Sequence, residues 1–193
     1  MSRHALLTAL AVLLPATLPL LAAGGGHADE PADPLLGQFV GMAHDVDLDG
    51  GQTIDREIDI VIGSHDNGGL TVHWTNVTLV DGKRDVPGVK RRSDDLRLAP
   101  APDRQFFLAG SGYDPFQDRR SLDPLKGDPL RWGARDGDQL AAYSFQILDD
   151  GRYELQVYRR DLAADGGSLD LAFQRILDGT VTREMTGHAV RAE

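Results

Sequence analysis

The chain has 193 residues, with 20 Lys and Arg against 30 Asp and Glu, a formal net charge of −10 and no cysteine. That length suits one domain of ordinary size, able to close a core without disulfides or a structural metal. The acidic balance speaks against nucleic acid and anionic membrane surfaces as partners, and the lack of cysteine excludes a disulfide framework, a thiolate nucleophile and cysteine-ligated zinc.

The chain opens with Arg3 and His4, followed by an uncharged run from Ala5 to Ala23. A short basic start, an apolar stretch and then small residues form the pattern of a secretory signal peptide. Pro15 and Pro19 break the run as a spanning helix. Gly26 and Ala28 offer small residues for cleavage after Ala28. The expected organisation is therefore a signal peptide over 1–28, a short linker over 29–35 and one domain over 36–193. The mature protein is expected to be periplasmic or secreted, with no membrane span after cleavage.

Composition then turns the reading away from helices. There are 25 Asp against 5 Glu and 17 Arg against 3 Lys. Asp competes for backbone N–H groups and favours turns and caps. Asp-Gly stands at 49–50, 81–82, 136–137, 150–151, 165–166 and 178–179, and Asn67-Gly68 adds another such pair. These dipeptides between alternating segments are the strongest short-range hairpin signal.

Period-two alternation predicts strands near 36–47, 53–64, 69–80, 84–98, 104–110, 130–135, 138–149, 152–162, 167–177 and 180–191. Ile54, Ile58, Ile60 and Ile62 share one face, as do Leu70, Val72 and Trp74. A change of phase to Val77 and Leu79 predicts a bulge near Asn76. Tyr143, Phe145 and Ile147 form one apolar face; Tyr153, Leu155 and Val157 another; Leu169, Leu171 and Phe173 a third. The expected fold is all-β: an antiparallel up-and-down meander of eight to ten strands closing into a barrel, with a β-sandwich as the alternative. A Pro-rich excursion at 110–129, with three Asp-Pro steps, interrupts the meander; its Tyr113, Phe116, Leu122 and Leu125 suggest packing over a barrel mouth.

Three stretches carry two resemblances. Leu36-Gly37-Gln38-Phe39-Val40-Gly41 resembles the opening strand of lipocalin-like (calycin) barrels, with Phe39 where Trp is usual. The segments 122–132 (LDPLKGDPLRW) and 153–162 (YELQVYRRDL) are similar to parts of small exported bacterial proteins of unknown function, and that similarity extends over most of the mature chain. The calycin resemblance implies a barrel with one open end and a cavity for a small ligand; the second resemblance implies no activity.

The segment Asp45-Val46-Asp47-Leu48-Asp49-Gly50 starts like a calcium loop but then places Gln52 and Arg56 where an apolar residue and a bidentate Glu are needed. It reads as an acidic hairpin tip, with a weak calcium site of another kind left open. His44, His65, His73 and His188 show no metal-ligand spacing and read as solvent-facing. Ser64, Ser111, Ser144 and Ser168 lack a nucleophile elbow, and there is no phosphate-binding glycine loop. No catalytic constellation is legible, and no metal or cofactor is called for.

Arginines stand on apolar faces: Arg56, Arg159, Arg175 and Arg183. An unpaired buried guanidinium is costly, so each must reach a carboxylate, water or a ligand. The functional expectation is an exported barrel that binds a small, partly apolar ligand with anionic character. Trp74, Phe145, Leu155, Phe173 and Met185 would line the site, and Arg175 or Arg183 would orient a polar head. The alternative is a periplasmic structural or protein-interaction module with a filled core. The shared face of Phe173, Arg175, Arg183 and Met185 requires an even register sum in the last hairpin, which predicts a three-residue loop with Gly179 left-handed.

Overall fold

The computed structural model describes residues 33–101, 106–109 and 123–193. The expected signal peptide, residues 29–32 of the linker and residues 110–122 of the excursion lie outside the described residues. Ten strands follow one another: β1 (Gly37–Asp47), β2 (Thr53–His65), β3 (Gly69–Thr78), β4 (Arg91–Pro100), β5 (Phe106–Ala109), β6 (Leu130–Asp136), β7 (Gln139–Ile147), β8 (Tyr153–Leu162), β9 (Ser168–Leu177) and β10 (Thr180–Arg191). Each pairs antiparallel with the next, and β1 pairs with β10, so the meander closes into a barrel. Closure removes the unpaired edges that a sheet this long would otherwise expose. The up-and-down barrel expected from the turns is the fold, and the sandwich is not.

Asp-Gly and Asn-Gly pairs sit at the corners as expected. Asn67, Asp81 and Asp178 are the non-glycine residues with positive φ among the described ones, and each precedes a glycine that also has positive φ. This is the backbone of type I′ turns, whose twist matches that of the strands they join. The strand expected from 84 begins instead at Arg91. A tight turn pairs Val80 with Lys83, and the chain then folds across the outer face, where Arg84 reaches Glu57 at 2.8 Å. That segment explains Val77: it lies on the outer face yet is buried. The bulge expected near Asn76 is absent, because β2 and β3 pair without interruption from Arg56↔Thr78 to His65↔Gly69. Asn76 and Thr78 therefore continue the inward face of Trp74.

The last hairpin is a second correction. Asp178-Gly179 forms a two-residue turn pairing Thr180 with Leu177, and a bulge between Val181 and Arg183 then restores the even sum. Met185 faces Phe173 and Arg183 faces Arg175, as the shared face demanded. The sequence rule for the faces was sound; the extra residue sits in the strand rather than in the loop. Val181 consequently pairs with Ile176 on the face opposite Met185.

The interior has two layers. At one end Leu35, Phe39, Ile62, Leu70, Val72, Leu98, Leu140, Leu169 and Ala189 pack into a filled apolar core. Burying side chains of this size stabilises by about 1.5–3 kcal/mol each. Residues 33–35, expected as the end of a linker, belong to this plug: Leu35 is fully buried, and Asp33 is ion-paired with Arg135. Arg191 ties the same end together, donating to the carbonyl oxygens of Gly166 (2.8 Å), Leu36 (2.7 Å) and Pro34 (2.6 Å) with its guanidinium over the Phe39 ring. Polar residues occupy the other end.

Gly179 has φ +80°, so a β-branched residue there would be strained. Gly179→Val is expected to lower stability by about 1–3 kcal/mol in thermal or denaturant unfolding. Unchanged stability would refute the two-residue turn.

Candidate functional site

The polar end is built by the even-numbered residues of β7 and β8. Tyr158 pairs with Phe173, Arg160 with Leu171 and Leu162 with Leu169, which turns Glu154, Gln156, Tyr158 and Arg160 inward. On β7 the same register turns Ala142, Ser144 and Gln146 inward, opposite Tyr158, Gln156 and Glu154. Two expected lining residues are thereby corrected: Phe145 and Leu155 pair with each other on the outer wall. There Phe145 stacks on Tyr153 (5.9 Å between centroids), and Trp132 stacks on Tyr143 at 5.1 Å with planes 8° apart. The alternation on β7 and β8 was real, but its apolar face is the outside of the barrel. The interior at this level is a mouth lined by polar and charged side chains, so the usual inference from apolar to inward fails.

Two cavities adjoin one another in the mouth. The larger, of about 310 Å³, is lined by Trp74, Arg92, Asp94, Arg131, Ser144, Gln146, Glu154, Gln156, Tyr158 and Arg175, among others. The smaller, of about 110 Å³, shares Trp74, Arg92, Asp94, Gln156, Tyr158 and Arg175 and adds Asp45, Arg56, Asn76, Phe173, Arg183 and Met185. Counting Arg160 just beneath, the mouth end holds, among the described residues, six arginines (56, 92, 131, 160, 175, 183) against three carboxylates (Asp45, Asp94, Glu154). The excess of three positive charges stands inside a protein whose formal net charge is −10.

The charges are not equally satisfied. Asp45, on β1, is buried and accepts from both flanking strands: from Arg56 Nε at 2.7 Å, and from Arg183 Nε and Nη2 at 2.5 and 2.7 Å. Arg56 also donates to Thr78 Oγ1 at 2.7 Å. Burial raises the Asp45 pKa, but the hydrogen bonds from Arg183 and Arg56 and their charges outweigh it, leaving the carboxyl below its usual value of 3.8. On the other wall the contacts are loose. Arg131 lies 3.5 Å and Arg92 3.8 Å from Asp94, and Arg175 Nε lies 3.5 Å from Glu154. Arg175 Nε is buried and makes no hydrogen bond among the described residues. Glu154 is engaged elsewhere, by Gln156 Nε2 at 2.5 Å, and Gln156 in turn accepts from the Tyr158 hydroxyl at 2.7 Å.

Of the residues expected to line a site, Trp74, Phe173, Arg175, Arg183 and Met185 meet around the smaller cavity. Trp74, Tyr158 and Phe173 form its aromatic floor, with centroids 5.6 and 4.7 Å apart. Arg159 points outward and is exposed. The residues missed were Arg92, Asp94, Arg131, Glu154, Gln156 and Tyr158. The signal for β8 was available: Leu162 and Tyr158 are spaced to continue the Leu169 and Phe173 face once β8 and β9 are paired. The Asp-rich tip also resolves. Asp45 serves Arg56 and Arg183, while Asp47 Oδ1 accepts from the backbone N–H groups of Asp49 and Gly50 at 3.1 Å each. His44, His73 and His188 sit on the outer face, each across from an aspartate (Asp55, Asp95, Asp170) at 2.6–2.9 Å.

Removing the Asp45 charge strands two guanidiniums. Breaking a fully buried pair costs about 3–5 kcal/mol. Arg56 and Arg183 keep some solvent contact, so Asp45→Asn should cost about 2 kcal/mol at neutral pH. Because the folded-state pKa is depressed, this stabilisation is complete above the unfolded value and fades as pH falls through the lower, folded one. The stability gap between wild type and Asp45→Asn in denaturant titrations should therefore be constant above about pH 5 and close in acid. A gap independent of pH would contradict this assignment. Comparison with known proteins adds no relative: no protein-family model matches the chain, and no curated protein does.

Proposed function

We propose that this protein is an exported lipocalin-like barrel that binds a small anionic ligand in its mouth. One observation carries the reading: Arg92, Arg131 and Arg175 surround a cavity of about 310 Å³ while their own carboxylates stand no closer than 3.5 Å. Guanidiniums held that way have donors free for a carboxylate or phosphate, which they bind through paired, charge-assisted hydrogen bonds. The aromatic floor of Trp74, Tyr158 and Phe173 supports the apolar part of such a ligand, and the volume lies at the lower end of the range for small-molecule sites. The uncharged run from Ala5 to Ala23 behind Arg3 supports export. A second reading, a structural or interaction module, draws on the filled apolar half of the barrel.

Native mass spectrometry of protein purified without refolding separates the two. A retained adduct of a few hundred daltons, lost in Arg175→Ala and in Arg131→Ala, is the expected result. An adduct-free wild type that also gains no thermal stability from citrate or inorganic phosphate would overturn the ligand reading and leave the module.

A further inference from the structure

Two carboxylates share the mouth cavity with the arginines, and each keeps one oxygen without a hydrogen-bond partner among the described residues. Asp94 Oδ1 accepts from the backbone N–H of Asp95 at 3.0 Å, while Oδ2 has only the Arg92 guanidinium, 3.8 Å away. Glu154 Oε1 accepts from Gln156 at 2.5 Å, while Oε2 has only Arg175 Nε, at 3.5 Å and without a hydrogen bond. Among the described residues, the partnerless polar side-chain atoms sealed from solvent are on Arg160 and Arg175, so both carboxylate oxygens are open to a ligand. Asp94 and Glu154 line the cavity of about 310 Å³, and Ser144 and Gln146 add a hydroxyl and an amide to its wall.

An occupant without donors would strip water from both oxygens and return nothing, which is costly for a charged acceptor. The arginines ask for the opposite. Among the described residues around this cavity, three arginines (92, 131, 175) face two carboxylates, an excess of one positive charge. A ligand that answers the whole wall therefore has one negative charge for the guanidiniums and hydroxyl or N–H donors for the carboxylates. An amino acid brings donors but also a positive charge, so the excess stays unanswered. A sugar acid combines one carboxylate with neutral hydroxyls. Its C–H face is the apolar part, and Trp74 and Tyr158 border the cavity to receive it. The volume suits one ring rather than a chain.

We propose that the mouth ligand is a monoanionic sugar acid of hexuronate type, with its carboxylate among Arg92, Arg131 and Arg175 and its hydroxyls on Asp94 Oδ2 and Glu154 Oε2. The inference rests on the reading of the mouth as an anion site and narrows it. Calorimetric titration of the wild type compares glucuronate and galacturonate with cyclohexanecarboxylate, which keeps ring and charge without hydroxyls, and with glucose, which keeps hydroxyls without charge. The better uronate should bind at least about tenfold tighter than either comparator. Cyclohexanecarboxylate binding as tightly would overturn the sugar acid but leave an anion site; glucose binding as tightly would overturn both. Saturable binding of none of them overturns the sugar acid, and the adduct and phosphate measurements then decide the anion site by themselves. Asp94→Leu and Glu154→Met test the carboxylates directly. Each should weaken the uronate about tenfold while cyclohexanecarboxylate binds as well or better, since a negative charge has gone. An equal change for both acids, in either direction, would show that the carboxylates do not hold hydroxyls and overturns the assignment.

Discussion

A barrel exists only if its first and last strands find each other, and in this protein a single buried carboxylate marks that meeting. Asp45 lies on β1 and holds Arg56 of β2 on one side and Arg183 of β10 on the other. The backbones of β1 and β10 also run very close: a side-chain carbon on Gly41 would stand 2.0 Å from the His188 carbonyl oxygen. At the far end of the same seam Arg191 fastens β10 to the carbonyl oxygens of Leu36 and Pro34. Backbone pairing gives the seam its register. The Asp45 cluster and Arg191 secure its ends, where strands otherwise fray.

From that closure follows the division of the interior. Strands of a closed barrel have one inward face, and this chain spends its two halves differently. Toward the Leu35 end the inward residues are aliphatic and fill the space, which supplies the hydrophobic stabilisation. Toward the Asp45 end they are charged or polar and leave it partly empty. Trp74, Tyr158 and Phe173 form the boundary, apolar enough to join the core and polar enough at the Tyr158 hydroxyl to join the mouth network. Packing of one half thus makes the other half's vacancies affordable.

The arginines then sort by what answers their charge. Arg56 and Arg183 share one carboxylate in tight geometry, which is a structural arrangement. Arg92, Arg131 and Arg175 face carboxylates only at 3.5–3.8 Å and line the larger cavity. Arg160 has no carboxylate partner at all among the described residues. The same residue type therefore spans a gradient from satisfied to unsatisfied down the lumen, and the functional reading rests on the loosely paired arginines of the mouth.

Much of the architecture was written locally. Asp-Gly and Asn-Gly pairs set the corners because they tolerate positive φ, and period-two alternation placed nine of the ten strands to within a few residues. The parity of Phe173 and Met185 even settled the register of the last hairpin, although not that a bulge at Thr182 rather than the loop would absorb the odd residue. What the sequence by itself could not determine was which face of β7 and β8 looks inward. Each of those strands carries apolar side chains on one face and polar ones on the other, and alternation is blind to which side is the lumen. Only the pairing of β8 with β9 decided it, and with it whether Phe145 and Leu155 or Gln156 and Tyr158 line the mouth. The physical reason is that period two specifies two faces, whereas inside and outside exist only once the sheet has closed.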